Sequence, residues 1–167
     1  MLLHEYLENG ADKNPNFPFS EFEGNSLSYQ EANLLSNQLA NKLVYEGLEV
    51  GDRFAFLAKN CTEMAIMYYA ASKVGAVPVP LNYRLADQEW AYIINDSEAK
   101  LIIVKGNEYS DRINQISSEL KNVKKYISIS LDNSIEKFQD FYDWLSDSSY
   151  EKPTLKIHEN DDVYQMY

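Results

Sequence analysis

Short apolar runs alternate with helix-like segments along most of the chain. Four runs recur about 24 residues apart, beginning at Phe54, Val77, Leu101 and Tyr126. The intervals carry apolar residues at helical spacing, in residues 61–74, 87–95 and 109–121. Strands that alternate with helices in this way build βαβ units, so the pattern predicts an α/β fold with a mostly parallel sheet and helices on both of its faces. The third run, LIIV, lacks polar alternation, which is typical of a strand covered on both faces.

The first 50 residues follow a different pattern, which predicts a helix and a β-hairpin before the sheet. Residues 2–8 predict a short helix, and residues 19–27 predict a hairpin that turns around Gly24. We therefore divide the chain in two. Residues 1–50 hold the opening helix, the hairpin and a capped helix, and residues 51–167 hold the βαβ series of the same domain.

Capping signals mark several helix ends. Ser28 and Glu31 have the spacing of a capping box, in which each side chain accepts the backbone N–H of the other residue. Gly47 predicts the end of the helix that follows. Asn60 and Gly75 are predicted to cap the start and the end of the next helix.

The end of the chain is less regular. Residues 135–145 predict an amphipathic helix, followed by a polar loop in residues 146–153. The inward side chains of that helix would be Phe138, Phe141, Trp144 and Leu145. Residues 163–167 alternate as a strand does, and an open edge strand is a template for association. We therefore predict that the isolated chain self-associates through an exposed sheet edge.

Composition bounds the partners, the disulfide content and the location of the protein. The net charge is −11, which should repel nucleic-acid backbones and anionic membranes. Cys61 is the only cysteine, so the chain has no internal disulfide. Neither a signal peptide nor a transmembrane segment is recognisable, and we predict a cytoplasmic protein.

The usual catalytic constellations are absent. His4 and His158 are the only histidines and lie far apart in the sequence, which argues against a zinc site or a His-dependent nucleophile. Neither G-x-G-x-x-G nor G-x-x-x-x-G-K-[ST] occurs, so the common phosphate-binding loops are missing. We predict no catalytic residue and no metal ligand within this chain.

One group of residues lies where parallel sheets bind ligands, beyond the carboxyl ends of the strands. The second run ends at Leu81, so residues 82–84, Asn82-Tyr83-Arg84, fall on this rim, and Lys59 and Asn60 follow the first run onto it. A guanidinium there can bind a phosphate in a forked geometry. The alternative is that Asn82 and Arg84 cap a turn and that Arg84 pairs with Asp87 or Glu89, as surface ion pairs commonly do.

The sequence around this rim resembles acyl-CoA synthetases, which belong to the adenylate-forming enzymes. Residues 72–104 read SKVGAVPVPLNYRLADQEWAYIINDSEAKLIIV, similar to a family segment in which a strand runs into P-L-N-x-R and the next helix leads to a D-S-x-A-K turn. Residues 27–43, LSYQEANLLSNQLANKL, resemble an early L-[ST]-Y-x-E-L helix, with Ala32 where leucine is more usual. Residues 161–167, DDVYQMY, resemble the run-up to the family's phosphate-binding loop.

This resemblance covers essentially the whole chain in one colinear order. It implies an N-terminal fragment of an AMP-forming acyl-CoA synthetase and a partial N-terminal domain of the adenylate-forming fold. Tyr167 aligns with the tyrosine that precedes a T-S-G-T-T-G-type loop, so that loop would follow at once. The loop, the acid that organises magnesium and the catalytic lysine would all lie downstream.

The family reaction implies three cofactors for the full-length enzyme: ATP, Mg²⁺ and CoA. A carboxylate and ATP give an acyl-adenylate and pyrophosphate, and CoA then forms the thioester. We expect none of the three to bind this fragment tightly and expect no activity from it alone. Arg84 stands at the N-x-R position that in some CoA ligases lies at the CoA nucleotide, which implies a phosphate contact, with Asn82 supporting the turn.

Three functional interpretations follow. The wording P-L-N-Y-R-L is similar to fatty-acid and aryl-acid CoA ligases, so the first is the scaffold portion of a fatty acid–CoA ligase. The second is an adenylation domain that loads an amino or aryl acid onto a carrier protein. The third is a non-catalytic α/β module that binds a partner through its sheet edge.

Overall fold

The computed structural model describes residues 1–167, which form two compact units. The first unit comprises Met1–Gly51, Asn60–Ala76 and Ser148–Val163, and the second comprises Asp52–Lys59, Val77–Asp147 and Tyr164–Tyr167. In chain order the elements are α1 (Leu3–Lys13), β1 (Pro18–Phe22), β2 (Asn25–Ser28), α2 (Tyr29–Tyr45), β3 (Arg53–Leu57), α3 (Thr62–Val74), β4 (Val77–Leu81), α4 (Asp87–Asp96), β5 (Leu101–Lys105), α5 (Asn107–Ile116), a 3₁₀ turn (Ser117–Glu119), β6 (Lys125–Ile129), β7 (Phe138–Asp140) and α6 (Phe141–Leu145). None of the helices combines the length and apolar content needed to cross a bilayer.

The first unit consists of the three helices α1, α2 and α3, the β1–β2 hairpin and the segment 148–163. The predicted capping box is confirmed, because Glu31 N donates to Ser28 Oγ at 3.2 Å and Ser28 N donates to Glu31 Oε2 at 2.8 Å. Gly47, at φ 88°, follows the end of α2 as predicted. Helix α1 extends past the predicted residues 2–8 because it packs against α2 through Gly10, where contact with Tyr29 compensates for weak local propensity.

The second unit contains a parallel sheet in the order β4-β3-β5-β6-β7, which confirms the α/β prediction. All four residues of LIIV are fully buried, as predicted for a strand covered on both faces. Alternate side chains of β3, β4 and β5 meet α4 and α5 in one apolar core that includes Trp90 and Tyr109.

The predicted helix over residues 135–145 is wrong in its first half. Lys137 has a left-handed backbone, φ 69°, and Phe138 then pairs with Tyr126 as part of β7. Asp140 Oδ1 accepts N–H groups from Tyr142 at 2.9 Å and Asp143 at 3.1 Å, so the helix starts only after this cap. The apolar residues predicted to face inward therefore belong to a strand and a short helix.

Two other helix boundaries differ from prediction. Cys61, not Asn60, occupies the N-cap position of α3, and its side chain accepts no capping hydrogen bond. Gly75 follows α3 with φ 69°, as predicted. Helix α5 begins at Asn107 and gives way to the 3₁₀ turn at Ser117, so it is displaced toward the N-terminus from the predicted residues 109–121.

The predicted strand over residues 163–167 does not form. Gln165 N donates to Pro78 O at 3.0 Å, a single ladder bond on the outer edge of β4. Backbone N–H and C=O groups of alternate residues in a strand point the same way, so the backbone of Pro80 also faces the outer edge. Neither Pro78 nor Pro80 has an N–H to donate there. The edge thus offers acceptors only, which leaves a neighbouring segment with half of a normal ladder.

Candidate functional site

The candidate site lies where β3, β4 and β5 end in the second unit. Strand β3 lies between β4 and β5. The chain passes from β3 to β4 on one side and from β5 to β6 on the other, so the switch point of the sheet lies at the carboxyl ends of β3 and β5. Crevices at such switch points bind ligands in open parallel sheets. Lys59 follows β3 at this point, and Asn82 and Arg84 follow β4.

Asn82 forms the turn after β4. Its Oδ1 accepts from Arg84 N at 3.0 Å, and its carbonyl accepts from Leu85 N at 3.2 Å. The carbonyl also accepts from the indole Nε1 of Trp90 at 2.8 Å. Trp90 is completely buried, so these bonds fix the turn to the core of the second unit.

The side chain of Arg84 is exposed and forms no ion pair. Both carboxylates proposed as its partners are bound elsewhere. Asp87 pairs with Arg112, whose Nη2 and Nε lie 2.6 and 2.7 Å from Asp87 Oδ1. Glu89 Oε2 accepts the backbone N–H of Ala86 at 2.8 Å. The alternative ion pair of Arg84 therefore does not form, and its guanidinium lies 5.4 Å from the centre of the Tyr83 ring.

Lys59 approaches the same ring from β3. Its Nζ lies 5.7 Å from the centre of Tyr83 and 6.0 Å from the centre of Tyr109. Tyr109, in the first turn of α5, is 7% exposed and packs edge-on against Trp90 with ring centres 6.1 Å apart. Tyr83 in turn packs edge-on against Tyr109 at 6.5 Å. The two cations thus lie on an aromatic support that the core holds in place.

The sequence identified Lys59 and Tyr83 as rim residues but missed Tyr109, which lies beside them. The available signal was an aromatic residue shortly after β5, as Tyr83 follows β4. Asn60, which the sequence placed beside Lys59, belongs to the first unit.

The basic side chains of the second unit differ in whether they form ion pairs. Arg53 pairs with Glu98 at 2.7 Å and Lys100 with Asp52 at 2.6 Å. Lys59 and Arg84 have no such partner, although the chain has eleven more acidic than basic residues. An anion at the rim would therefore meet two positive charges that no carboxylate compensates, on a chain whose net charge is negative.

Tyr167 lies away from this rim. Its hydroxyl donates to Asp96 Oδ2 at 2.7 Å, at the end of α4 that leads into the start of β5. Burial and this hydrogen bond raise the pKa of Tyr167 to about 12, so the phenol stays protonated. No group of three or more His, Cys, Asp or Glu side chains is arranged to hold a metal ion.

Comparison with known families decides the classification. The profile described as AMP-binding enzyme matches residues 7–167. The chain belongs to the AMP-binding enzyme family. This confirms the resemblance to adenylate-forming ligases that the sequence motifs carried.

Relatives of this AMP-binding chain include a CoA ligase and a surfactin synthase subunit. It is 42% identical over 77 residues to the long-chain-fatty-acid–CoA ligase FadD13 of Mycobacterium tuberculosis, a match that covers 46% of this chain and 15% of that protein. It is 31% identical over 116 residues to surfactin synthase subunit 2 of Bacillus subtilis, covering 70% of this chain and 3% of that protein. The chain therefore spans a small part of either relative.

Solved structures of AMP-binding enzymes share the fold. The N-terminal domain of FACL13 from Mycobacterium tuberculosis superposes with a TM-score of 0.85 at 25% identity, over 98% of this chain and 41% of that one. Coronafacic acid ligase from Pectobacterium brasiliense gives a TM-score of 0.89 at 22% identity, over 100% of this chain and 33% of that one. The α/β architecture is thus that of the N-terminal domain in this family.

Proposed function

We propose that the chain is the N-terminal scaffold portion of an ATP-dependent carboxylic acid–CoA ligase that acts on a fatty acid through an acyl-adenylate. The observation that carries the proposal is the 42% identity with a long-chain-fatty-acid–CoA ligase, in a family whose profile matches nearly the whole chain. In this account the groups that hold ATP and Mg²⁺ belong to other parts of a longer cytoplasmic enzyme, and residues 1–167 alone are inactive.

Within that enzyme, Arg84 contacts a phosphate of the CoA nucleotide. The fit rests on three features of this chain: the guanidinium is exposed, it has no ion-pair partner, and the bonds of Asn82 fix the turn that carries it. CoA supplies the thiol that accepts the acyl group. Arg84 holds the distant nucleotide end of CoA, so its contribution is binding and orientation.

The test uses the full-length ligase with Arg84→Ala and, as a matched control, Lys121→Ala. Lys121 is an exposed cation of the same unit at the opposite end of the sheet, before β6. We expect Arg84→Ala to raise the Michaelis constant for CoA by roughly tenfold, the effect of losing one charge-assisted hydrogen bond. The Michaelis constant for ATP should not change. An unchanged constant for CoA, or an equal effect of Lys121→Ala, would contradict the proposed contact.

A second candidate function is an adenylation domain that loads an amino or aryl acid onto a carrier protein. The observation that favours it is the 31% identity with surfactin synthase subunit 2, which covers a larger share of this chain than the match with the CoA ligase. Such an enzyme forms its thioester without CoA. Acyl transfer to a carrier protein, with no response to CoA or to Arg84→Ala, would therefore favour this second candidate.

A further inference from the structure

Two cations without ion-pair partners share one aromatic ring at the switch point of the sheet. We propose that Lys59 is a second phosphate ligand there, and that with Arg84 it binds a nucleotide bearing more than one phosphate group. This inference rests on the proposed function, since CoA carries a 3′-phosphate beside its 5′-pyrophosphate. It adds a residue from a different strand, to which the sequence motif assigns no role.

The position of Lys59 follows from the sheet. Ala58 is buried at 6% exposure, whereas the next residue, Lys59, is exposed just past the end of β3. Because β3 lies between β4 and β5, the lysine emerges between Tyr83 and Tyr109, which follow those two strands. The side chain thus lies at the switch point of the sheet, the position where open parallel sheets bind ligands.

The two tyrosine rings lie beside the ammonium group of Lys59 but do not neutralise it. The distances of 5.7 and 6.0 Å to the two ring centres lie at the outer limit of about 6 Å for a cation–π contact, so these contacts are weak. A tyrosine ring carries no net charge, and an ammonium group has three N–H donors to offer. Lys59 therefore keeps both its charge and its donors for an anion.

Lys59 and Arg84 are also suited to act together. Both lie within 6 Å of the centre of the same Tyr83 ring, which packs on the buried Tyr109. A ligand with several phosphate groups can meet both cations, whereas a monophosphate meets fewer charges. The binding should weaken as salt is added, since both cations are exposed.

The experiment is a titration of the ¹⁵N-labelled chain by NMR at low salt, with adenosine 3′,5′-bisphosphate and with AMP. The variants are Lys59→Ala, Lys59→Arg and Arg84→Ala, with Lys121→Ala as the control. We expect shifts at the amides of Lys59, Tyr83 and Arg84, and tighter binding of the bisphosphate than of AMP. Lys59→Ala should weaken bisphosphate binding about fivefold, Lys59→Arg should restore most of it, and Lys121→Ala should leave it unchanged.

Several results would overturn the inference. They are no binding of the bisphosphate to the wild-type chain, wild-type affinity in Lys59→Ala, or an equal loss in Lys121→Ala. If Arg84→Ala weakens binding and Lys59→Ala does not, the role of Lys59 falls while the proposed Arg84 contact stands. If both variants weaken binding here, but Arg84→Ala leaves the Michaelis constant of the full-length enzyme for CoA unchanged, the anion site stands and the proposed contact of Arg84 with CoA falls.

Discussion

Gly10 lies in the middle of α1, where an alanine would ordinarily favour the helix. A Cβ atom at Gly10 would lie 2.3 Å from Cδ1 and 2.4 Å from Cε1 of the Tyr29 ring. The ring cannot easily turn away, because it packs edge-on against the ring of Phe19, with ring centres 5.5 Å apart. Gly10→Ala therefore requires α1 or the ring to move by about 1 Å to reach ordinary van der Waals contact.

The expected free-energy change is the balance of two terms. Replacing glycine by alanine inside a helix stabilises it by about 1 kcal/mol. Overpacking a well-filled contact costs about 1–3 kcal/mol. We expect Gly10→Ala to lower the free energy of unfolding by up to about 2 kcal/mol, the difference between these terms.

A double-mutant cycle with Tyr29→Ala isolates the clash, because the second substitution removes the ring. In the Tyr29→Ala background, Gly10→Ala should become stabilising by about 0.5–1 kcal/mol, the intrinsic helix preference alone. Urea denaturation followed by circular dichroism measures all four free energies. If Gly10→Ala stabilises the wild-type chain, or if the coupling energy is near zero, α1 and α2 do not pack as described.

Three further predictions concern charge and the sheet edge. Burial lowers the pKa of His4 below its usual 6.5, so the folded chain favours the neutral imidazole. The melting temperature should therefore fall as the pH drops below about 6.5, and His4→Gln should flatten that dependence. The ammonium group of Lys73 is only 1% exposed and pairs with Glu8 at 2.7 Å. Glu8→Gln leaves that buried charge without its carboxylate and should lower the free energy of unfolding by about 3 kcal/mol. A loss under about 1 kcal/mol would mean that the pair behaves as an exposed one. Self-association of the chain stays a prediction, although the strand over residues 163–167 that was predicted to mediate it does not form. The outer strand of the sheet is β4, where Pro80 has no N–H to donate, so Pro80→Val should increase the dimer fraction in sedimentation. No increase would argue against pairing through this edge.

The parts of the fold that local sequence encodes were predictable. The apolar run LIIV becomes a fully buried strand because a strand between two layers has no exposed side chain to alternate. The capping box of Ser28 and Glu31 forms because both of its bonds lie within one turn. The prediction of one helix over residues 135–145 was wrong, because apolar side chains at helical spacing also suit a strand followed by a capped helix.

The candidate site depends on contacts between residues distant in sequence. Arg84 lacks an ion pair because Arg112, from α5, takes the carboxylate of Asp87. Lys59 meets Tyr109 only because β5 joins the sheet beside β3, and not beside β4. The sequence could place Lys59 and Arg84 on one rim, but not establish which charges would find partners there.

We propose that residues 1–167 are the N-terminal part of an adenylate-forming ligase. The most direct test is to read the coding sequence through the ten codons after Tyr167. We expect a loop rich in serine, threonine and glycine that ends near Pro-Lys-Gly, where backbone and hydroxyl groups can hold the phosphates of ATP. A stop codon directly after Tyr167 would contradict it, and the chain would then be a binding module that keeps only the fold of its enzyme relatives.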